Sequence, residues 1–204
     1  MNDWVFLRGL TRESAHWGDF PRRFEASLPG TRVHLIDLPG NGVRHLERSP
    51  ATVAGMVADA RAQLQGLGIA APVNLLALSL GAMVATQWLH SAPQDIAAAV
   101  LVNTSMRPFS PLHHRLRPGN LPTLLGLVIG HPSPEVAEGR IWRMTSRQAV
   151  IDDSVLATWV AIRRQRPVRA ANAVRQLLAA ARFKAPDRAP LSPVLLLSSH
   201  GDGL

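Results

Sequence analysis

Five short apolar runs, Trp4–Leu7, Val33–Ile36, Val73–Leu78, Ala99–Val102 and Val194–Leu197, constrain this chain more than any other feature. They are nearly continuous in hydrophobicity and bounded by Gly, Pro or Asp. A strand covered on one face alternates apolar with polar residues, whereas a strand covered on both faces does not. Continuous runs therefore predict a buried, mostly parallel sheet. Helical patterns lie between the runs. Ser49-Pro50 reads as an N-cap followed by proline, leading into Val53, Met56, Val57, Ala60 and Leu64 before Gly66 and Gly68 stop the pattern. A second helix starts near Leu80 and carries Met83, Val84, Trp88 and Leu89. Strand–helix–strand in repetition predicts right-handed crossovers and a doubly wound α/β fold of about five strands.

The alternation breaks after Asn103-Thr104, where about ninety residues precede the last run, far more than an ordinary crossover. Helical signals fill this stretch. Leu121–Ile129 is an apolar helix candidate, Ser133-Pro134-Glu135 opens another, and Asp153-Ser154 precedes Val155, Leu156, Trp159 and Ile162. Val168–Phe183 places Val174, Leu177, Leu178 and Ala181 on one face with arginines opposite. The expected organisation is a first core part over 1–106, a helical insertion over 107–190 and a return strand over 191–204.

Composition removes several functions. The 204 residues include no cysteine, which excludes disulfides, thiolate metal sites and cysteine nucleophiles. No apolar run is long enough to span a membrane, and the Met1-Asn2-Asp3-Trp4 start does not resemble a signal peptide, so the expected location is cytoplasmic. The net charge of +8 is concentrated between Arg107 and Arg188, which hold 14 of the 22 basic residues and 5 of the 14 acidic ones. Few aromatics are interspersed there, which favours a solvated basic face over a nucleic-acid surface. No histidine pair has helical metal-ligand spacing and no phosphate-binding glycine loop follows a strand, so neither a metal nor a nucleotide is expected.

The segment Leu75-Leu76-Ala77-Leu78-Ser79-Leu80-Gly81-Ala82-Met83 carries the chemistry. A buried strand runs into Ser79 and straight on into a helix. A serine at so sharp a turn takes a strained backbone conformation, and its neighbours at −2 and +2, Ala77 and Gly81, must be small. The hydroxyl then faces the carboxyl end of the sheet, where α/β proteins bind ligands. The helix N-terminus and the Leu80 amide favour a developing oxyanion there. The reading is a nucleophile; a plain serine N-cap is the alternative.

Four segments together resemble the α/β-hydrolase family, especially small bacterial esterases similar to pimeloyl-carrier-protein methyl ester carboxylesterases. Phe6-Leu7-Arg8-Gly9-Leu10 resembles the strand and oxyanion turn, and His34–Gly42 resembles the D-x-P-G-x-G loop. Ala77-Leu78-Ser79-Leu80-Gly81 resembles the nucleophile elbow, and Val194–Ser199 with Gly201-Asp202 resembles the late strand ending in the triad acid. The resemblance implies a serine hydrolase acting on carboxylic esters or thioesters without a cofactor. Ser79 would attack, the Leu10 and Leu80 amides would hold the oxyanion, and Asp202 would be the acid. It also makes the helical insertion a lid. Its apolar segment suggests an acyl pocket, with Leu121, Leu124, Leu125 and Trp159 as candidate lining, and its arginines suggest an anionic or carrier-bound substrate.

Two positions depart from the family pattern. Arg8 stands where the family usually has histidine, and Asp19 or Glu13 are its expected partners. The family's catalytic histidine follows the acid by roughly thirty residues, whereas this chain ends two residues after Asp202. The expectation is a C-terminal truncation lacking the last strand–helix unit and the histidine loop, with an inactive hydrolase or a binding module as the alternative. His16, His113, His114, His131 and His200 are the weak substitutes for that base.

Overall fold

The computed structural model describes residues 2–111, 118–130, 132–146 and 152–199. A five-stranded parallel sheet has the order β2-β1-β3-β4-β5, with β1 at Asn2–Leu7, β2 at Thr31–Ile36, β3 at Val73–Leu78, β4 at Ile96–Val102 and β5 at Val194–Leu197. β1, β2 and β4 begin two or three residues before the apolar runs, because backbone pairing such as Asn2 with Thr31 continues past the hydrophobic stretch.

Helices cover both faces. α1 (Phe20–Ser27) lies on one side, where its Phe24 packs against Phe6, Trp17 and Leu76. α2 (Val53–Gly66) and α3 (Leu80–Ser91) lie on the other, burying Met56, Val57, Ala60, Val84 and Trp88 against Val5, Leu7, Leu75 and Ala77. Two-sided burial is the physical reason the strand sequences do not alternate. The start of α2 differs from the expectation. Thr52, not Ser49, is its N-cap, with the Thr52 hydroxyl accepting the Gly55 amide at 3.1 Å. Ser49 is buried instead, and its hydroxyl donates to the Pro39 carbonyl.

Between β4 and β5 the described residues form α4 (Leu121–Ile129), α5 (Pro134–Thr145), α6 (Asp153–Gln165) and α7 (Ala170–Arg182). Ser133 and Asp152 cap α5 and α6 through side-chain oxygens. Trp142 of α5 meets Trp159 of α6 at 5.5 Å between ring centroids. α7 reverses the expected polarity. Val174, Leu178 and Ala181 face solvent, while Asn172, Ala173, Gln176 and Ala179 are buried. None of these helices is long and apolar enough to cross a membrane among the described residues.

Candidate active site

Ser79 occupies the single residue between β3 and α3, with φ of 50°. A non-glycine residue there carries backbone strain that its surroundings must hold in place. Four bonds do so. The Ser79 amide donates to the Val102 carbonyl at 3.0 Å, and its own carbonyl accepts the Ala82 amide at 3.0 Å, the Met83 amide at 3.1 Å and the Thr104 hydroxyl at 3.2 Å. The side chain is partly exposed, and none of the described residues hydrogen-bonds its hydroxyl.

The small neighbours have steric causes. A Cβ on Gly81 would sit 2.7 Å from the carbonyl oxygens of both Leu7 and Arg8, so α3 reaches β1 only with glycine at that point. Ala77 is fully buried. A Cβ on Gly9 would lie 3.2 Å from Ser79 Cβ and 3.7 Å from its Oγ, which places the turn after β1 directly against the serine. Leu10 follows in that turn. Neither the Leu10 amide nor the Leu80 amide at the first position of α3 has a hydrogen-bond partner among the described residues. Thr11 has φ of 53°, and its amide donates to Gln176 Oε1 at 2.8 Å.

The loop after β2 is a brace. The Asp37 carboxylate accepts the Ser14 amide and hydroxyl, each at 2.7 Å, and the Val43 amide at 3.1 Å. At Gly42 (φ 54°) a Cβ would collide with this carboxylate, and at Gly40 (φ 90°) with Ser49 and Asn172. The glycines are required by close approach, and Asp37 is engaged in holding the loop.

Arg8 pairs with neither Asp19 nor Glu13. Its guanidinium lies 4.7 Å above the Trp17 ring, while Asp19 binds Arg22 and Glu13 binds Arg166. Burial first, and the neighbouring Arg12 second, push the Arg8 pKa down to about 10. Arg12 lies 4.5 Å from the Trp159 ring and shares the buried carboxylate of Glu138 with Arg163, at 2.6 and 2.5 Å. Arg164 pairs with Glu135. Three of the arginines expected to face a substrate are thus held by Glu138, Glu135 and Glu13.

His16 is adjacent to this cluster. Its Nε2 accepts from Arg12 at 2.8 Å, and its Nδ1 lies 3.2 Å from the Glu13 amide and 3.3 Å from the Glu13 carbonyl. Burial, then the charges of Arg12 and Arg8, push its pKa down to about 2. Of the other described histidines, His34 pairs with Asp3 and His45 with the Gly42 carbonyl. Asp202, His113, His114, His131 and His200 lie outside the described residues, as do the side chains of Leu121 and Leu125. Leu124 and Trp159 are half-buried.

The alpha/beta hydrolase family model matches residues 4–203. This chain belongs to that family. Over 105 residues it is 36% identical to a pimeloyl-[acyl-carrier protein] methyl ester esterase of Chromobacterium violaceum, covering 52% of this chain and 38% of that relative's length. Solved hydrolase-fold structures agree. A hydrolase from Pseudomonas aeruginosa superposes with a TM-score of 0.73 at 19% identity, covering 97% of this chain and 71% of the other. A thermophilic esterase from Thermogutta terrifontis gives 0.72 at 19% identity, with the same shares covered.

Within this hydrolase-family fold, one supporting residue escaped the sequence reading. Asn103, after β4, has φ of 45°; its side-chain oxygen accepts the Ser199 amide at 2.9 Å and its Nδ2 donates to the Ser199 hydroxyl at 3.2 Å. It anchors the segment leading towards residue 202. An asparagine just past a strand is the available signal, since Asn tolerates left-handed backbone.

Proposed function

We propose that this chain is a serine hydrolase acting on carboxylic esters or thioesters, with Ser79 as nucleophile. The carrying observation is the left-handed Ser79 at the β3–α3 turn, with small residues on either side and a hydroxyl that is unpartnered among the described residues. The Ser79 oxygen attacks the acyl carbon, and the Leu10 and Leu80 amides donate to the resulting oxyanion. Collapse breaks the bond to the alcohol or thiol, which leaves carrying the proton that the Ser79 hydroxyl gave up, and water then releases the acid from the acyl-serine and returns a proton to Ser79. Among the described residues both amides lack other partners, and they lie in the two turns that meet at Ser79, which supports these roles. Asp202 is the proposed acid, through the segment that Asn103 anchors.

Residues 107–190 are the proposed lid over this site, with Leu124 and Trp159, together with Leu121 and Leu125, as acyl-pocket candidates. The match to a carrier-protein methyl ester esterase supports a carrier-bound acyl ester as one substrate. His16 does not serve as the base, because its Nε2 already accepts from Arg12 and burial with the charges of Arg12 and Arg8 pushes its pKa down to about 2.

Short p-nitrophenyl esters test the reading. The chain is expected to hydrolyse p-nitrophenyl butyrate, and Ser79→Ala to lose at least about 10³-fold in kcat/KM. Retained turnover in the variant removes Ser79 from the mechanism. The second reading is a hydrolase fold that binds esters without cleaving them; it is favoured by the lack of a described histidine on the Ser79 hydroxyl. That reading predicts ester binding with no turnover in the unmodified chain.

A further inference from the structure

Unpaired positive charge lies beside Ser79. Arg8 immediately precedes Gly9, the residue whose absent Cβ leaves room for Ser79. Its Nε is buried without a hydrogen-bond partner, and no carboxylate lies within ion-pair distance of it among the described residues. Arg12, close enough to act electrostatically on Arg8, has a second orphaned donor, Nη2. The surrounding acids are committed elsewhere. Glu13 binds Arg166, Asp19 binds Arg22, Asp37 accepts from Ser14 and Val43, and Glu138 is shared by Arg12 and Arg163. His16 is neutral and accepts a hydrogen bond from Arg12, so it removes none of the charge.

Arg12 and Arg163 therefore share a single carboxylate, that of Glu138, and Arg8 has none within ion-pair distance among the described residues. Trp17 and Trp159 hold two of the guanidiniums in place by their ring faces. Desolvated cations with free donors bind a compact anion much more strongly than exposed ones do, and arginine suits a carboxylate in particular.

We propose that Arg8 and Arg12 form an anion subsite next to Ser79 that selects esters whose acyl chain ends in a free carboxylate. The substrate class is a half-ester of a short dicarboxylic acid. The proposal rests on the hydrolase reading for the position of the scissile bond, and adds the specificity-determining residues.

Binding separates the two readings. The Ser79→Ala protein is titrated with monomethyl adipate, a monoanion at pH 7.5, and with neutral dimethyl adipate, following the fluorescence of the tryptophans beneath the guanidiniums. The expected result is binding of the monoanion at least tenfold tighter. Arg8→Gln in the same background is expected to abolish that preference, and Arg8→Lys to restore part of it. Equal affinity for the two esters overturns the subsite whether or not Arg8→Gln folds, and so does a preference that survives Arg8→Gln. If the unmodified chain fails to hydrolyse p-nitrophenyl esters while the anion preference holds, the hydrolase reading falls and the subsite stands.

Discussion

His16 shows what a cationic wall does to one side chain. With Arg12 donating to Nε2 and Arg8 nearby, the folded imidazole has its pKa pushed down to about 2, whereas the unfolded side chain titrates near 6.5. Between these values the unfolded chain binds more protons, so the stability present above pH 6.5 is lost as the pH falls below it. The prediction is a decline of up to about 1.4 kcal/mol per pH unit from this group on acidification from pH 6.5. Urea midpoints from pH 7 to 5 measure it, with His16→Gln expected to flatten the slope. Equal slopes in both proteins would exclude His16 as the cause. Glu13, whose carboxyl is raised chiefly by burial, contributes with the opposite sign, so the difference from the variant isolates the histidine. Ser79, Ala77 and Gly81 were readable from sequence because a strand running straight into a helix demands a sharp turn with small neighbours, although what Gly81 clears in the fold is the distant Leu7 and Arg8 carbonyls. The partner of Arg8 was not, because an indole nine positions away competes with carboxylates and only the folded geometry decides between them.

The helices differ in how much of them pattern alone determines. α2 and α3 bury the apolar positions that their spacing predicts, because a flat apolar sheet is what they meet. α7 meets loops along one part of its buried face, while Ala179 joins the main core. Asn172 accepts the Ser49 amide at 3.0 Å and donates to the Glu47 carbonyl at 2.8 Å. One turn on, Gln176 accepts the Thr11 amide and donates to Asn41 Oδ1 and Ser49 Oγ. Backbone turns buried without strands to pair them need polar partners, so this helix turns an amide face inward and leaves Val174 and Leu178 outside. Hydrophobic periodicity cannot reveal such a face. Gln176→Leu is expected to strand the Thr11 amide and Asn41 Oδ1, each costing about 1–3 kcal/mol. A fall of about 3 kcal/mol in unfolding free energy, with reduced ester turnover through the adjoining Leu10 turn, is the predicted outcome. Denaturant unfolding and p-nitrophenyl ester assays check both parts, and unchanged stability would mean that Gln176 is not a structural tie.

Across the whole molecule, the parallel sheet and the two-sided core follow from five apolar runs, while the strand order and the outer side of β5 belong to the fold. Among the described residues no strand pairs with that side, and Leu195, Leu196 and Leu197 are 54%, 68% and 46% exposed. An apolar open edge is a template for pairing with another chain. Leu196→Lys is expected to lower the apparent mass seen by light scattering at high protein concentration; an unchanged mass would show that the edge is not what associates. The bond from Thr11 to Gln176 joins residues 165 positions apart. Synthesis runs from the N-terminus, so β1, its turn and Ser79 all leave the ribosome long before α7 exists. Until then the left-handed amide of Thr11 has only water to satisfy it. The rim of the site is thus among the last parts of the molecule able to take its final form, and a nascent chain can display its serine well before the neighbouring turn is locked.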